Sequence, residues 1–148
     1  MILIAPYARQ LRNGNVNAKN YPWPELLVEL LENSGKEVVQ IGVEGEKQIA
    51  KRFERNLSFQ EVSSLLDKCA TFVAVDSYLQ HHGWQVGKRG VVIFSQSDPI
   101  IFGHPIHNNL LKDRKYLRPN QYDMWEGVPV NEESFFSPEE VLEKMKEN

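Results

Sequence analysis

The chain has 148 residues, of which 41% are hydrophobic and 25% are charged, a composition typical of one soluble globular domain with its own core. Its formal net charge of −3 argues against a general nucleic-acid binder. The only cysteine, Cys69, cannot form an intrachain disulfide, which favours a reducing compartment. The apolar run "MILIA" is too short for a signal peptide or a membrane span, so we expect a cytoplasmic protein.

The first part of the chain predicts a strand, a helix and a second strand. Residues 1–5 are apolar and form a buried strand that stops at a proline, and a polar loop follows. Residues 23–34 have leucines at helical spacing, with Pro24 in the first turn and Gly35 after the last. Residues 37–42, "EVVQIG", predict the second strand.

Two helices are predicted before the third strand. The first covers residues 44–55 and depends on two apolar side chains, Ile49 and Phe53, which are four positions apart. The second covers residues 58–70 and begins with "SFQE", the sequence of a capping box. Both are expected to lie on the surface of the sheet.

The second half of the chain predicts two more strands and a terminal helix. A loop and a helix separate the third strand, residues 71–75, from the fourth, residues 91–95. Prolines and asparagines predict a loop over residues 96–109, and residues 109–136 show no clear pattern. Residues 137–148 begin with "SPEE", which predicts a capped helix with proline at its first position.

Continuous apolar strands that alternate with helices indicate a parallel sheet with helices on both faces. The sequence therefore predicts a single α/β domain over residues 1–148, Rossmann-like, with an additional C-terminal helix. On such sheets, ligands bind beyond the carboxyl ends of the strands. Neither GxGxxG nor GxxxxGK[ST] occurs in the chain, so the two common phosphate-loop signatures are missing.

The residues that follow the predicted strands combine cations, carboxylates and hydroxyls, which suit a phosphorylated ligand with sugar hydroxyls. These candidates are Arg9, Arg12 and Lys19 after the first strand, Glu44 and Glu46 after the second, Asp76, Ser77 and His81 after the third, and Ser97 and Asp98 after the fourth. Because parallel strands end at one edge, we expect them to share a rim. Asp76 and Ser77 also fit a plain helix cap, and the cations fit solvated surface charges.

Other chemistry has weaker support in the sequence. Two histidines in "HPIH" have a His-x-x-His spacing, but the proline, and the lack of a neighbouring cysteine or HExxH motif, argue against a metal site. Ser77 lacks a Gly-x-Ser-x-Gly elbow, and Cys69 lies in a helix-to-strand connection, so neither predicts a nucleophile. We predict no cofactor.

Two long segments carry a resemblance to a known family. They are "AKNYPWPELLVELLENSGKEVVQIGVEGEKQIAKRF" and "SFQEVSSLLDKCATFVAVDSYLQHHGWQVGKRGVVIFSQSDP". Their order of lysine, Trp-Pro, helix, strand, glutamate, Asp-Ser, histidine and Ser-Asp-Pro resembles the donor-binding half of the ADP-heptose:lipopolysaccharide heptosyltransferases. That family consists of glycosyltransferases with two Rossmann domains. The resemblance covers residues 1–104, and the terminal helix also has a counterpart.

The resemblance implies a role for each matching residue. Lys19 would contact the diphosphate of an ADP- or UDP-sugar, and Glu46 would hold the ribose or base. Asp76 would bind the hydroxyls of the donor sugar, whereas Ser77 and the backbone after it would hold phosphate. His81 would line the same pocket.

Three departures from the family pattern affect this interpretation. Tyr78 stands where the family has a glycine that lets the backbone approach phosphate. Ser95 and Gln96 replace a Gly-Pro pair. The chain matches only the second family domain, whereas the first supplies the acceptor site and the catalytic carboxylate. We therefore expect glycosyl transfer to need another chain or a homo-oligomer.

Three functions remain open from the sequence. The preferred one is a glycosyltransferase-like domain that binds a nucleotide-sugar. The second is an inactive module that binds a nucleotide, a glycan or a protein, which Tyr78 favours. The third is an unrelated interaction protein in which Trp23, Trp84 and Trp125 form a partner surface, although we expect these tryptophans in the core instead.

Overall fold

A six-stranded parallel sheet forms the centre of the computed structural model, which describes residues 1–147. Its strands are β1 (Ile2–Ala5), β2 (Val38–Gly42), β3 (Arg52–Arg55), β4 (Thr71–Val75), β5 (Val91–Phe94) and β6 (Asn108–Leu111). The α-helices are α1 (Pro24–Asn33), α2 (Phe59–Lys68), α3 (Tyr78–Gln85), α4 (Pro99–Phe102) and α5 (Pro138–Met145). Among these residues, no helix is both long and apolar enough to cross a membrane.

The first strand lies inside the sheet and pairs with β2 on one side and β4 on the other. The strand order is β3-β2-β1-β4-β5-β6, and all pairs are parallel. In this register Leu3 lies opposite both Val39 and Phe72. The order is that of a doubly wound Rossmann-like sheet, so the predicted α/β fold class is confirmed.

Alternate residues of the strands point to opposite faces, so the sheet carries a core on each side. Ile4 of β1 belongs to the cluster that contains Leu31 of α1 and Val141 of α5. Its neighbour Leu3 belongs to the opposite cluster, which contains Leu66 of α2. Full burial of such side chains contributes about 1.5–3 kcal/mol each, and both faces therefore hold helices in place.

Both predicted capping boxes form. The Ser58 hydroxyl accepts from the Glu61 amide, and the Glu61 carboxylate accepts from the Ser58 amide, which starts α2. Ser137 and Glu140 repeat this arrangement at α5, with Pro138 in the first helical position. A cap of this kind contributes about 1 kcal/mol, enough to fix where a short helix begins.

The predicted helix over residues 44–55 is wrong. The segment forms turns and then strand β3, which extends the sheet beside β2. The side chain of Gln40, fully buried in β2, accepts hydrogen bonds from the amides of Ile49 (2.7 Å) and Ala50 (3.3 Å) and donates to the Lys47 carbonyl (2.9 Å). These bonds replace the hydrogen bonds that a helix would have supplied.

The predicted loop over residues 96–109 is only partly correct. It contains the short helix α4, and its end joins β6, which pairs with β5 from Asn108 onwards. Strand β6 starts with two asparagines and is four residues long, so it lacks the apolar run that marks the other strands. Residues 112–136 hold only two short 3-10 turns before α5.

The aromatic ring of Phe72 is enclosed by two glycines. Gly83 of α3 and Gly90, just before β5, leave no room for a Cβ atom, because a methyl group at either position would overlap the ring. The ring of His107 contacts Phe72 edge-on, with 5.3 Å between centroids. The helix α3 is therefore held close to β4, at the end of which the candidate site begins.

We expect Gly90→Ala to lower the free energy of unfolding by about 1–3 kcal/mol, because the added methyl overpacks the site of the fully buried Phe72 ring. Urea denaturation of the two proteins measures the difference. Gly127→Ala is the matched control, since a Cβ there meets no atom within 4 Å. Equal stability of the Gly90 and Gly127 variants would contradict the packing described.

Candidate functional site

A cleft of about 800 Å³ opens beyond the carboxyl ends of β1, β2 and β4. This is the point where the strand order reverses, since β1 leads to β2 on one side while β4 lies on the other. Of the sequence candidates, the cleft is lined by Arg9, Lys19, Glu44, Glu46, Asp76, Ser77 and His81. The parallel sheet thus brings residues from three separate loops to one place.

An ion pair between Lys19 and Asp76 lies in the cleft. The Lys19 Nζ is 3.4 Å from Asp76 Oδ2, and the two side chains are only 21% and 8% exposed. Gln80 of α3 donates to the other carboxylate oxygen, Oδ1, at 2.6 Å. Asp76 is therefore fixed at both oxygens, and Lys19 is the partner with donors left for a ligand.

The loop after β1 is shaped by two asparagines, which explains how it carries Lys19 to the cleft. Asn17 accepts from the Lys19 amide (3.0 Å) and donates to the Arg9 carbonyl (3.0 Å). Asn20 accepts from the Ala8 amide at 2.8 Å. Side chains that bond to nearby backbone in this way replace regular secondary structure and fix an otherwise irregular loop.

Glu46 lies against the end of β2. One carboxylate oxygen accepts from the Val43 amide at 2.7 Å and fills the space beside Gly42 in which a Cβ would otherwise lie. Burial raises the pKa of the Glu46 carboxyl above its ordinary value, and the Val43 hydrogen bond opposes this shift. A Cβ at position 42 would displace this carboxylate oxygen.

The first turn of α3 forms the third wall of the cleft. Ser77 is its N-cap residue, but the hydroxyl donates to the Val75 carbonyl (3.3 Å) and makes no capping hydrogen bond. The amides of the first turn are therefore not occupied by this side chain. His81 Nδ1 lies 2.7 Å from His104 Nε2, so the N–H of one ring donates a hydrogen bond to the ring nitrogen of the other.

Tyr78 separates the main cleft from a second cavity of about 380 Å³. Its side chain is 52% exposed and lines both spaces, as does His81. Burial, together with the nearby Glu46 carboxylate, raises the pKa of the phenol. Tyr78 thus places an aromatic ring in the cleft at the position where the family resemblance implies a glycine.

Three of the sequence candidates, Arg12, Ser97 and Asp98, do not line the cleft, and Arg12 is exposed. Asp98 caps α4 by accepting from the Ile100 amide at 2.9 Å, and Arg114 donates to its two oxygens at 3.1 and 2.8 Å. The guanidinium lowers the pKa of this carboxyl. Ser97 is buried. Helix α4 begins at Pro99, so Asp98 is its N-cap residue and Ser97 immediately precedes the cap.

Sequence reasoning missed the segment that closes one side of the cleft. Residues 118–126, here called the strap, contribute five residues to the lining: Arg118, Gln121, Tyr122, Asp123 and Trp125. The strap is bonded to the segment after β5, because the Gln96 carbonyl accepts from the Arg118 amide (3.0 Å) and the Gln121 side chain (2.9 Å). It has no regular period, so no local signal in the sequence placed it there.

The tryptophans are not core residues, contrary to the sequence expectation. Trp84 is 53% exposed and stacks on His104. Trp23 packs against the core but is only partly buried. Trp125 lines the cleft from the strap.

The four histidines do not form a common site. Across residues 1–147, no group of three or more His, Cys, Asp or Glu side chains is placed to hold a metal ion. His82 bonds to Ser63 at 2.7 Å and stacks on a phenylalanine, while His107 bonds to the Gln80 carbonyl at 2.7 Å. Burial lowers the pKa of both rings. Their interactions are those of packed structural side chains.

Comparison with known proteins identifies the family. The model of the family described as "Glycosyltransferase family 9 (heptosyltransferase)" matches residues 1–121. This chain belongs to glycosyltransferase family 9. A comparison with curated protein sequences gives no significant match. The family confirms the resemblance that the Lys19, Glu46 and Asp76 segments carry.

Solved structures show the same glycosyltransferase family 9 fold at low sequence identity. ADP-heptose lipopolysaccharide heptosyltransferase II of E. coli superposes with a TM-score of 0.70 at 18% identity, covering 99% of this chain and 45% of that one. The heptosyltransferase TibC, known from enterotoxigenic E. coli, superposes with a TM-score of 0.69 at 17% identity, covering 99% of this chain and 44% of TibC. A family 9 protein from Veillonella parvula gives 0.69 at 13%, with the same coverage. The chain thus spans about 45% of the length of these relatives.

We expect Glu46→Gln to stabilise this family 9 chain at neutral pH. Folding raises the pKa of the Glu46 carboxyl, so ionisation is less favourable in the folded chain than in the unfolded one. The free energy of unfolding therefore falls as the pH rises through the folded pKa of this group. The amide removes that loss but still accepts from Val43. Urea denaturation at pH about 7 should show a higher free energy of unfolding than wild type, and at pH about 3.5 no gain.

Glu29→Gln, at an exposed position of α1, controls for the loss of one negative charge. If Glu46→Gln raised the free energy of unfolding equally at both pH values, or lowered it at neutral pH, burial of the Glu46 charge would not be what destabilises the chain.

Proposed function

We propose that the cleft binds a nucleotide-diphosphate sugar and that this chain is the donor-binding half of a glycosyltransferase. The observation that carries the proposal is the Lys19–Asp76 ion pair, which shares one cleft with Glu46 and the first turn of α3. A lysine and a helix N-terminus favour phosphate. Two carboxylates that accept hydrogen bonds favour the hydroxyls of ribose and of a sugar.

An adenine nucleotide is the first candidate for the donor. The TibC structure is described as a complex with ADP-D-beta-D-heptose, and this chain shares its fold over 99% of its length. The lining residues do not separate adenine from uracil, so a UDP-sugar is the second candidate. The buried single cysteine fits a reducing compartment such as the cytoplasm.

Glycosyl transfer needs an acceptor held in line and a base for its hydroxyl, and we assign neither to this chain. The chain spans about 45% of the length of the matched solved structures, and we propose that the acceptor site and the base lie outside these 148 residues, for example in another chain or in an oligomer. Oligomerisation has support from TibC, which is described as dodecameric.

A module that binds without catalysing transfer is the second candidate function. Tyr78 favours it, because its ring stands between the main cleft and the second cavity. An extended nucleotide-sugar that occupies both spaces would have to move this ring.

Isothermal titration with ADP-glucose and UDP-glucose tests the binding proposal. We expect at least one of them to bind, and Lys19→Met to weaken that binding about tenfold or more, because a charged contact to phosphate is lost. Asp76→Asn should weaken it similarly. Lys36→Met, at an exposed position outside the cleft, should leave it unchanged. Absence of heat with both ligands at millimolar concentration would contradict the proposal.

Replacing Tyr78 tests whether its ring obstructs the ligand. We expect Tyr78→Ala to tighten ADP-glucose binding about three- to tenfold, because the ring no longer has to be displaced. Tyr78→Phe keeps the ring and should bind as the wild type does. Weaker binding by the alanine variant would instead mean that the phenol contacts the ligand.

A further inference from the structure

Arg118 is a buried cation in the wall of the cleft. Only 9% of the residue is exposed, although it lies in an irregular segment. Its guanidinium donates to the carbonyls of Gln121 (3.0 Å), Asp123 (2.7 Å) and Met124 (3.1 Å), all within the strap. Three carbonyls satisfy part of its hydrogen-bonding capacity but supply no negative charge.

The positive charge of Arg118 has no ion-pair partner among residues 1–147. Its Nε is buried and makes no hydrogen bond in the same part of the chain. Burial lowers the pKa of this guanidinium, while the more distant Asp123 and Asp76 carboxylates act in the opposite direction. Arg114, by contrast, binds both oxygens of Asp98. An unpaired buried charge is strongly unfavourable, and an anionic ligand in the cleft would reduce this cost.

Arg118 and Lys19 both contact the ring of Trp125. The Arg118 Cζ lies 3.7 Å from the centroid of the indole, and the Lys19 Nζ lies 4.9 Å from the same centroid. Both cations line the cleft, and both are near a ring that attracts positive charge. Lys19 is already paired with Asp76, whereas Arg118 keeps a free donor.

We propose that Arg118 is a second anion-binding side chain of the cleft, and that with Lys19 it selects a diphosphate over a single phosphate. The inference rests on the proposed function, since it names the residue that binds the second phosphate of the diphosphate. An arginine suits this task because its planar donors bind phosphate oxygens directionally. Trp125, beyond the family match at residues 1–121, orients the guanidinium.

Arg118 also holds the strap together, so the test must separate that structural role from anion binding. Isothermal titration of ADP and AMP gives the ratio of their dissociation constants in each variant. We expect the wild type to bind ADP about tenfold tighter than AMP, and Arg118→Gln to reduce the ratio to about threefold or less. Arg118→Lys should recover much of the ratio even if its melting temperature falls, because the charge is retained.

Arg55→Gln is the matched control, because Arg55 also stacks on an aromatic ring, at 4.0 Å from Phe53, but lies outside the cleft. Its ADP to AMP ratio should equal that of the wild type. If Arg118→Gln keeps the wild-type ratio, or the wild type binds both nucleotides equally, Arg118 does not read the second phosphate and the inference is overturned. If the wild type binds neither nucleotide, the proposed function fails as well.

A measurement on the intact chain covers the case in which Arg118→Gln does not fold. The Nε–H of Arg118 gives an NMR signal that Arg118→Lys assigns by its loss. We expect ADP to shift this signal and adenosine to leave it in place, because only ADP carries the anion that the free donor would meet. No shift with ADP, or the same shift with adenosine, would overturn the inference.

Discussion

The candidate site depends on one constraint, which is that β1 pairs in parallel with strands on both of its sides. Parallel pairing sends the chain out of β1, β2 and β4 at the same edge, so loops distant in sequence meet there. Lys19, Glu46 and Asp76 come from these three loops. A one-residue change of register in β1 would turn its core side chains to the wrong faces, because successive residues of a strand point to opposite faces.

The charged groups of the cleft are held in an environment that disfavours some of them. Burial raises the pKa of Glu46 and lowers that of Arg118, so ionisation of each is harder than in water. Ionisable side chains with such shifted pKa values are common at ligand-binding sites. A ligand with phosphates and hydroxyls would offer an anion to Arg118 and, in addition to the Val43 amide, further donors to Glu46.

Features encoded within a few residues were predictable from the sequence. The boxes at Ser58 and Ser137 start their helices as expected, since each uses only its own first turn. The continuous apolar strands β1, β2, β4 and β5 also follow from local patterns. From parallel strands alone, seven of the candidate residues could be placed in one cleft. The other features of the structure depend on contacts that the local sequence pattern does not encode.

Three sets of contacts illustrate this. Ile49 and Phe53 have helical spacing, but the Gln40 side chain binds the backbone before β3 and holds it extended. Asp98 follows a strand as a binding residue would, yet Arg114 and α4 occupy its carboxylate. The strap reaches the cleft through irregular backbone, which has no periodicity to detect. The local sequence pattern therefore predicts where the strands end, but not which loops and irregular segments pack at that edge.

The interior amide of Gln40 has a consequence for protein engineering. Residues 43–51 reach from the end of β2 to β3 without a helix, and their shape is set by three hydrogen bonds to one side chain of the neighbouring strand. This connection also carries Glu46. Residues 43–51 therefore cannot be transferred alone. In a relative, we expect them to keep this conformation only if the strand before them has a buried glutamine at the position equivalent to Gln40.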